Sequence, residues 1–117
     1  MLQKDLVAAS SRPVVLSVLA RGESYGYEII QEVRRLSGGR LEYAEGMIYP
    51  LLHRLEREGL IKSRWDTPKG TGRRRKYYRL SDDGGAALQA EQQRWITVHN
   101  ALANLWGLKP CPMPKPI

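Results

Sequence analysis

Residues 44–80 have the sequence AEGMIYPLLHRLEREGLIKSRWDTPKGTGRRRKYYRL, in which one amphipathic segment is followed by two alternating ones. The apolar residues of the first part recur at the i, i+3, i+4, i+7 spacing of a helix, and they are Ile48, Leu51, Leu52 and Leu55. This stripe predicts a helix from Ala44 to Glu58, ended by Gly59. Polar and apolar side chains alternate in residues 61–65 and 76–80 around turn-forming residues, which predicts a β-hairpin with a long basic tip.

Two further helices are predicted before this stretch. Dense apolar residues from Val14 to Ala20 indicate a buried helix, and we expect it to start near Ser10 and Ser11 because Pro13 is best tolerated in a first turn. Ser24 is a suitable N-cap for a second helix from Tyr25 to Leu36. Residues 40–43 are a candidate for a single strand.

A long helix is predicted after the hairpin, capped by Ser81 and reaching about Trp106. The order of elements predicts a mainly α fold with a small β-hairpin, namely a winged helix-turn-helix with a C-terminal dimerisation helix. We assign residues 1–80 to the DNA-binding domain and residues 81–107 to the dimerisation helix. The four prolines after Leu108 predict that residues 108–117 form a flexible, proline-rich tail.

The positive charge of the chain is concentrated in the hairpin. The chain has 19 Lys+Arg and 12 Asp+Glu, a net charge of +7. Residues 61–80 contain eight basic residues and one acidic residue, so this segment alone has a charge of 8 − 1 = +7. The remaining residues sum to zero, and a cationic excess confined to one segment is typical of a polyanion-binding surface.

The predicted nucleic-acid contacts come from the third helix, the hairpin and the start of the second helix. Gly46 and His53 lie opposite the apolar stripe, and Tyr49 and Arg54 lie on the two flanks of that side. The glycine permits close approach, and the longer side chains can reach base edges and phosphates. At the hairpin tip we expect phosphate contacts from Lys69, Arg73, Arg74 and Arg75. Backbone N–H groups of Ser24 and Tyr25 could bind a further phosphate. The alternatives are a solvated helix face and a solubilising charge run.

A heptad-like seam on the last helix predicts a dimer interface. Leu88, Trp95 and Leu102 recur every seven residues, with Val98 and Leu105 in a second heptad position that Glu91 interrupts. The alternative is a helix that folds back on its own domain. The indole of Trp95 could instead line a cavity between protomers and stack on a planar aromatic ligand, although spacing alone favours ordinary packing.

Several classes of protein are not supported by the sequence. Cys111 is the only cysteine, so no internal disulfide and no cysteine-based zinc site can form, and we predict no metal and no cofactor. His53 and His99 have no evident acidic partner, and no nucleophile motif or phosphate-binding loop is present. No apolar run is long enough to cross a membrane. We therefore expect a cytoplasmic protein without catalytic activity.

Four motifs in this order resemble the PadR family of bacterial transcriptional regulators. They are YGYEI at residues 25–29, EGMIYP at 45–50, LEREGLI at 55–61 and GRRRKYYRL at 72–80, and the resemblance extends over residues 12–106. The single C-terminal helix resembles the small, LmrR-like subfamily.

This resemblance implies a homodimeric winged-helix repressor. In LmrR-like members two tryptophans of the last helix hold planar drugs in a pore at the dimer centre, and Trp95 occupies the matching position. Two residues depart from the family pattern. Met47 stands where threonine is usual, so we include it among the DNA-binding candidates, and Pro13 lies where the first helix is normally uninterrupted.

Together these observations predict a sequence-specific transcriptional regulator that binds double-stranded DNA. We expect a ligand-responsive repressor on a palindromic operator, with a planar aromatic small molecule as the effector. The alternatives are a protein-interaction module and an RNA-binding module, each using the basic hairpin.

Overall fold

The computed structural model describes residues 4–67, 69–70 and 72–112. The elements are the helices α1 (Lys4–Ala20), α2 (Gly26–Leu36), α3 (Glu45–Arg57) and α4 (Asp82–Trp106), and the strands β1 (Ser24–Tyr25), β2 (Ile61–Asp66) and β3 (Arg75–Leu80). The strands form one antiparallel sheet in the order β1-β3-β2. The fold is therefore mainly helical with a small sheet, as predicted.

The first helix is continuous, so the predicted start near Ser10 and Ser11 is wrong. Helix α1 runs for 17 residues with Pro13 inside it. Proline removes one intrahelical hydrogen bond, but residues on both sides of it pack inward, with Val7 against the core and Val15 and Leu16 fully buried. Apolar burial of this kind contributes about 1.5–3 kcal/mol per large side chain and offsets the local cost.

The start of α2 also differs from the prediction. Ser24 does not cap the helix: Tyr25 is the N-cap and makes no side-chain cap bond. Instead, Ser24 and Tyr25 form β1 and pair with Tyr78 and Tyr77 of β3. The candidate strand at residues 40–43 is wrong, because those residues form no strand and Tyr43 is buried against the core.

Helix α3 and the hairpin agree with the prediction. The stripe Ile48, Leu51, Leu52 and Leu55 is buried. Strands β2 and β3 pair from Ile61 opposite Leu80 to Asp66 opposite Arg75. Tyr78 is 2% exposed and closes the core, whereas its neighbour Tyr77 stays partly exposed. Only three residues separate the end of α3 at Arg57 from the start of the hairpin at Ile61.

Helix α4 begins against the hairpin and extends past the domain. The Ser81 hydroxyl accepts a hydrogen bond from the Gly84 backbone N–H at 3.0 Å. A Cβ at Gly84 would lie 1.9 Å from the Leu60 carbonyl oxygen, so only glycine permits this approach. Farther along, the Asn100 side chain bonds both backbone groups of Cys111. Residues 113–117 of the predicted tail lie outside the described residues.

Candidate nucleic-acid interface

The exposed face of α3 carries the side chains that the sequence assigns to base contacts. Tyr49, His53 and Arg54 are all exposed, with His53 opposite the buried stripe and the other two on its flanks. Gly46, in the first turn, would have nothing within 4 Å of an added Cβ, so this end of the helix is open to a close ligand. The geometry suits a helix lying in a groove, with slender residues at its start and longer polar side chains behind them.

Tyr49 also holds α3 against the start of α2. Its ring crosses Gly26 so closely that a Cβ there would lie 2.6 Å from the Tyr49 Cε1. The side chain remains 38% exposed, and its burial, followed by the charge of Glu45, raises the pKa of the phenol. The hydroxyl end of the Tyr49 ring thus lies against the start of α2, while part of the side chain stays exposed beside α3.

Met47 and Ser24 have less exposed side chains than the other candidates for DNA contacts on α3. Met47 is partly buried and packs against the core cluster, so its side chain is directed away from the open end of α3. Ser24 is 5% exposed, and its hydroxyl donates to a Glu28 carboxylate oxygen at 2.6 Å. The contact expected of Ser24 is made by its backbone N–H and not by this hydroxyl, so it stays a prediction.

The wing, which we define as residues 61–80, has an outer face built from stacked aromatic and cationic groups. Tyr25 and Tyr77 meet edge to face with centroids 5.4 Å apart. The Arg75 guanidinium lies 4.6 Å from the Tyr25 ring centre, and that of Arg64 lies 4.9 Å from the Tyr77 ring centre. Arg75, predicted as a phosphate contact, is therefore engaged in holding the wing on β1.

Arg64 is further fixed by an acidic residue before β1. Its Nε donates to Glu23 at 2.9 Å, and this hydrogen bond raises the pKa of the guanidinium. The same bond lowers the pKa of the Glu23 carboxyl. Both groups are exposed, so the pair orients the strand more than it stabilises the fold.

The inner face of the wing is fastened to α3 through Glu56. Its carboxylate accepts a hydrogen bond from the Ser63 hydroxyl and lies 3.4 Å from the Lys76 Nζ. The Ser63 hydrogen bond, aided by the positive charge of Lys76, lowers the pKa of Glu56. Because both partners are on the wing, α3 and the wing present their exposed surfaces in a fixed relation.

The remaining predicted wing cations lie around the tip. Lys69, Arg73 and Arg74 are exposed, and the Arg74 guanidinium lies 4.8 Å from the ring centre of Trp65. Residues 68 and 71 of the tip are outside the described residues. The alternation of residues 61–65 identifies Trp65 only as a strand residue, but its side chain is 55% exposed on the face shared with α3. Trp65 lies four residues beyond Ile61, the core residue of β2. That distance from the core was the signal that could have identified Trp65 as an exposed candidate for a binding contact.

A second feature is an apolar cleft between α1, α2 and α4. Its volume is about 590 Å³, and it is lined by residues including Pro13, Val14, Val33, Leu36, Trp95 and Ile96. The Trp95 indole N–H donates to the Glu91 carboxylate at 3.2 Å. Trp95 thus lines a cleft within one chain, and the size of this cleft is in the range of small-molecule sites. The predicted cavity between two protomers stays a prediction.

The predicted seam on α4 divides at Trp95. Leu88 is 7% exposed and belongs to the core of its own domain, so its burial there removes it from the predicted interface. Glu91 is also buried and lies 2.9 Å from Arg94 and 3.6 Å from Arg12. Beyond this point the predicted interface residues are open to solvent: Trp95, Val98, Leu102 and Leu105.

The part of the chain that the structure describes contains no cluster of His, Cys, Asp and Glu able to hold a metal ion. Across the same residues, no helix combines the length and hydropathy needed to span a membrane.

A winged helix with an exposed helix face and a cationic wing defines a class of DNA-binding proteins. Residues 15–90 match the Transcriptional regulator PadR-like family. The chain belongs to this family and is a DNA-binding transcriptional regulator.

Individual relatives agree with this assignment. The chain is 34% identical over 90 residues to the transcriptional regulator Rv3488 of Mycobacterium tuberculosis, covering 77% of this chain and 79% of that protein. A transcriptional regulator from Clostridium thermocellum superposes with a TM-score of 0.78 at 28% identity, over 86% of this chain and 97% of that one. A PadR family regulator from Clostridium difficile R20291 has a TM-score of 0.68 at 33% identity, over 83% and 97% of the two chains.

Proposed function

We propose that this regulator is a homodimeric repressor that binds a two-fold symmetric operator. The observation that carries the proposal is the exposed apolar surface of α4 beyond its own domain, formed by Trp95, Val98, Leu102 and Leu105. Each large apolar side chain is worth about 1.5–3 kcal/mol when buried, and the 3-4-3 spacing of these four suits a second helix. Pairing with an identical copy presents two α3 helices to one duplex.

The operator contacts we propose come from two surfaces with different roles. Tyr49, His53 and Arg54 read bases from the major groove, and Lys69, Arg73 and Arg74 bind phosphates along the flanking backbone. Bound in this way, a dimer covers the promoter and excludes polymerase, which is the mode of repression we propose.

Selection of duplexes from a random pool by the purified protein tests this proposal. We expect a consensus with two inverted half-sites about one helical turn apart. Transcription in vitro from a promoter carrying that consensus should fall as the protein is added. An asymmetric consensus or no enrichment of any duplex would refute the operator assignment, and preferential binding of structured RNA at equal salt would favour the RNA-binding alternative.

Two arginine variants separate base reading from backbone binding. Arg54→Ala should change the preference between the selected and a random duplex by about 1–3 kcal/mol, because a base contact is lost. Arg74→Ala should weaken both duplexes alike and reduce the dependence of log K on log salt by about 0.9. Equal effects of Arg54→Ala on both duplexes would remove it as a base contact.

We also propose that the chain belongs to the LmrR-like subfamily and responds to a ligand. Both proposals depend on the cleft beside Trp95. Its apolar lining and accessible indole suit a planar aromatic molecule. Proflavine, a planar aromatic dye, should quench Trp95 saturably in a Trp65→Phe, Trp106→Phe chain without DNA. The anisotropy of the same dye should then rise with the wild-type chain and stay low with Trp95→Ala. Equal dye binding by both chains would refute a site at Trp95.

A further inference from the structure

The inner face of the wing changes from core to solvent as it approaches the tip. On β2 the side chains of Ile61, Ser63 and Trp65 share this face, and their exposure rises from 1% at Ile61 to 55% at Trp65. Trp65 is therefore a large apolar side chain held beyond the core, where it contributes little to folding. Because exposure of an indole is unfavourable in water, a contact that covers it gains free energy.

Cations hold the Trp65 ring on this face. The Arg74 guanidinium lies 4.8 Å from the ring centre, and the Lys76 Nζ lies 5.9 Å away. Lys76 is in turn 3.4 Å from Glu56 of α3. The indole thus stands in a fixed position beside α3, with positive charges at its edge and more than half of its surface uncovered.

The outer face provides the contrast. There the Tyr77 ring is partly buried and carries Arg64 on one side, while Tyr25 covers another part of it. Those aromatic groups pack against each other and fix the wing. Trp65 has no aromatic neighbour of this kind among the ring pairs of the described residues, so its free surface faces whatever lies beside α3.

We propose that Trp65 packs against the sugars and base edges of the groove next to the one that α3 occupies. Duplex DNA presents apolar deoxyribose carbons there, between two rows of phosphates, and minor-groove proteins frequently insert apolar side chains between the base steps of this groove. Arg74 beside the indole meets the phosphates of the same groove. Trp65 thereby supplies a part of the binding free energy that does not depend on salt. This inference rests on the proposed arrangement of α3 and the wing on duplex DNA.

The test is a salt series of DNA affinities for the full chain, using a fluorescent duplex that carries the selected site. Trp65→Ala should lower the affinity about tenfold, equivalent to about 1.4 kcal/mol, by the same factor at every salt concentration. The slope of log K against log salt should stay as in the wild type. Leu108→Ala is the control, since that apolar side chain is 58% exposed beyond the end of α4, and the DNA affinity of this variant should be unchanged.

A double-mutant cycle distinguishes a direct contact from a role in positioning Arg74. Trp65→Ala should retain most of its effect in an Arg74→Gln background, because the indole itself touches DNA. Loss of that effect in the Arg74→Gln chain would mean that Trp65 only orients the guanidinium and would overturn the proposal. A flatter salt slope for Trp65→Ala would overturn it as well.

A measurement that leaves Trp65 intact covers the case in which the alanine variant fails to fold. In a Trp95→Phe, Trp106→Phe chain, Trp65 is the only indole, and duplex DNA should protect it from acrylamide quenching. Full accessibility in the saturated complex, or equal protection by a single strand, would overturn the groove contact. If the wild-type chain does not bind duplex DNA at all, the proposed function fails; if it binds and Trp65 alone is indifferent, only this inference fails.

Discussion

In its first half, residues 82–94, α4 buries its leucine within its own domain, whereas residues 95–106 leave most of their large apolar side chains open to solvent. Leu88 in the first half is 7% exposed, and Leu105 in the second half is 79% exposed. Both lie on one continuous helix with the same heptad-like spacing. Heptad-like spacing therefore predicts which side of a helix is apolar. It does not predict whether that side packs on its own domain or on another chain.

Two neighbouring glycines give the largest expected difference along α4. Gly84→Ala would force a Cβ to within 1.9 Å of the Leu60 carbonyl oxygen, and α4 would have to move away from the hairpin. We expect this to lower the free energy of unfolding by about 3 kcal/mol, measured by urea denaturation. Gly85→Ala is the control, because an added Cβ has nothing within 4 Å.

The Gly85→Ala control should raise the free energy of unfolding slightly, by about 0.5–1 kcal/mol, because alanine favours a helix more than glycine does. Equal unfolding midpoints for the two variants would mean that α4 does not approach Leu60 as closely as described.

A leucine from each half separates folding from self-association. Leu88→Ala should cost about 2–4 kcal/mol of unfolding free energy, because it leaves a cavity in the core. Leu105→Ala should leave the unfolding of the dilute chain nearly unchanged but weaken association, so that its melting temperature depends less on protein concentration. The comparison would break down if Leu105→Ala destabilised the dilute chain as much as Leu88→Ala.

Glu91 lies at the boundary between the halves and should give the smallest effect. Its carboxylate lies 2.9 Å from Arg94 and accepts the Trp95 indole N–H, with Arg12 of α1 also nearby. Glu91→Gln should lower stability by about 1 kcal/mol, because it removes a partly buried charge from two cations. Glu42→Gln, in an exposed pair with Arg34, is the control and should change stability less. Equal losses would indicate that the Glu91 cluster is no more than a surface ion pair.

Local patterns predicted much of the fold. The stripe of α3, the alternation of the hairpin and the Ser81 cap depend on neighbouring residues, so the sequence alone sufficed. The two-residue strand β1 was not predictable in this way, because it exists only through pairing with β3 far along the chain. The predicted start of α1 near Pro13 was wrong for a related reason. Packing of α1 against other elements outweighs the local tendency of proline to break a helix.

In the candidate site too, features set by local sequence patterns were predictable, and features set by contacts between distant segments were not. The exposed side chains of α3 followed directly from its buried stripe, and Arg73 and Arg74 followed from the charge run. The stacking of Arg75 on Tyr25 and the uncovered indole of Trp65 depend on how the wing meets β1 and α3. The sequence predicts phosphate contacts for both Arg74 and Arg75. In the structure the two guanidinium groups lie against different rings, those of Trp65 and Tyr25.

The central claim is that the open half of α4 joins two chains so that two α3 helices bind one operator. Sedimentation velocity of the chain with a labelled duplex carrying the complete selected site measures this directly. We expect two chains per duplex at saturation, and weaker assembly of that complex with the Leu102→Glu chain. One chain per duplex at saturation, with both half-sites intact, would contradict it.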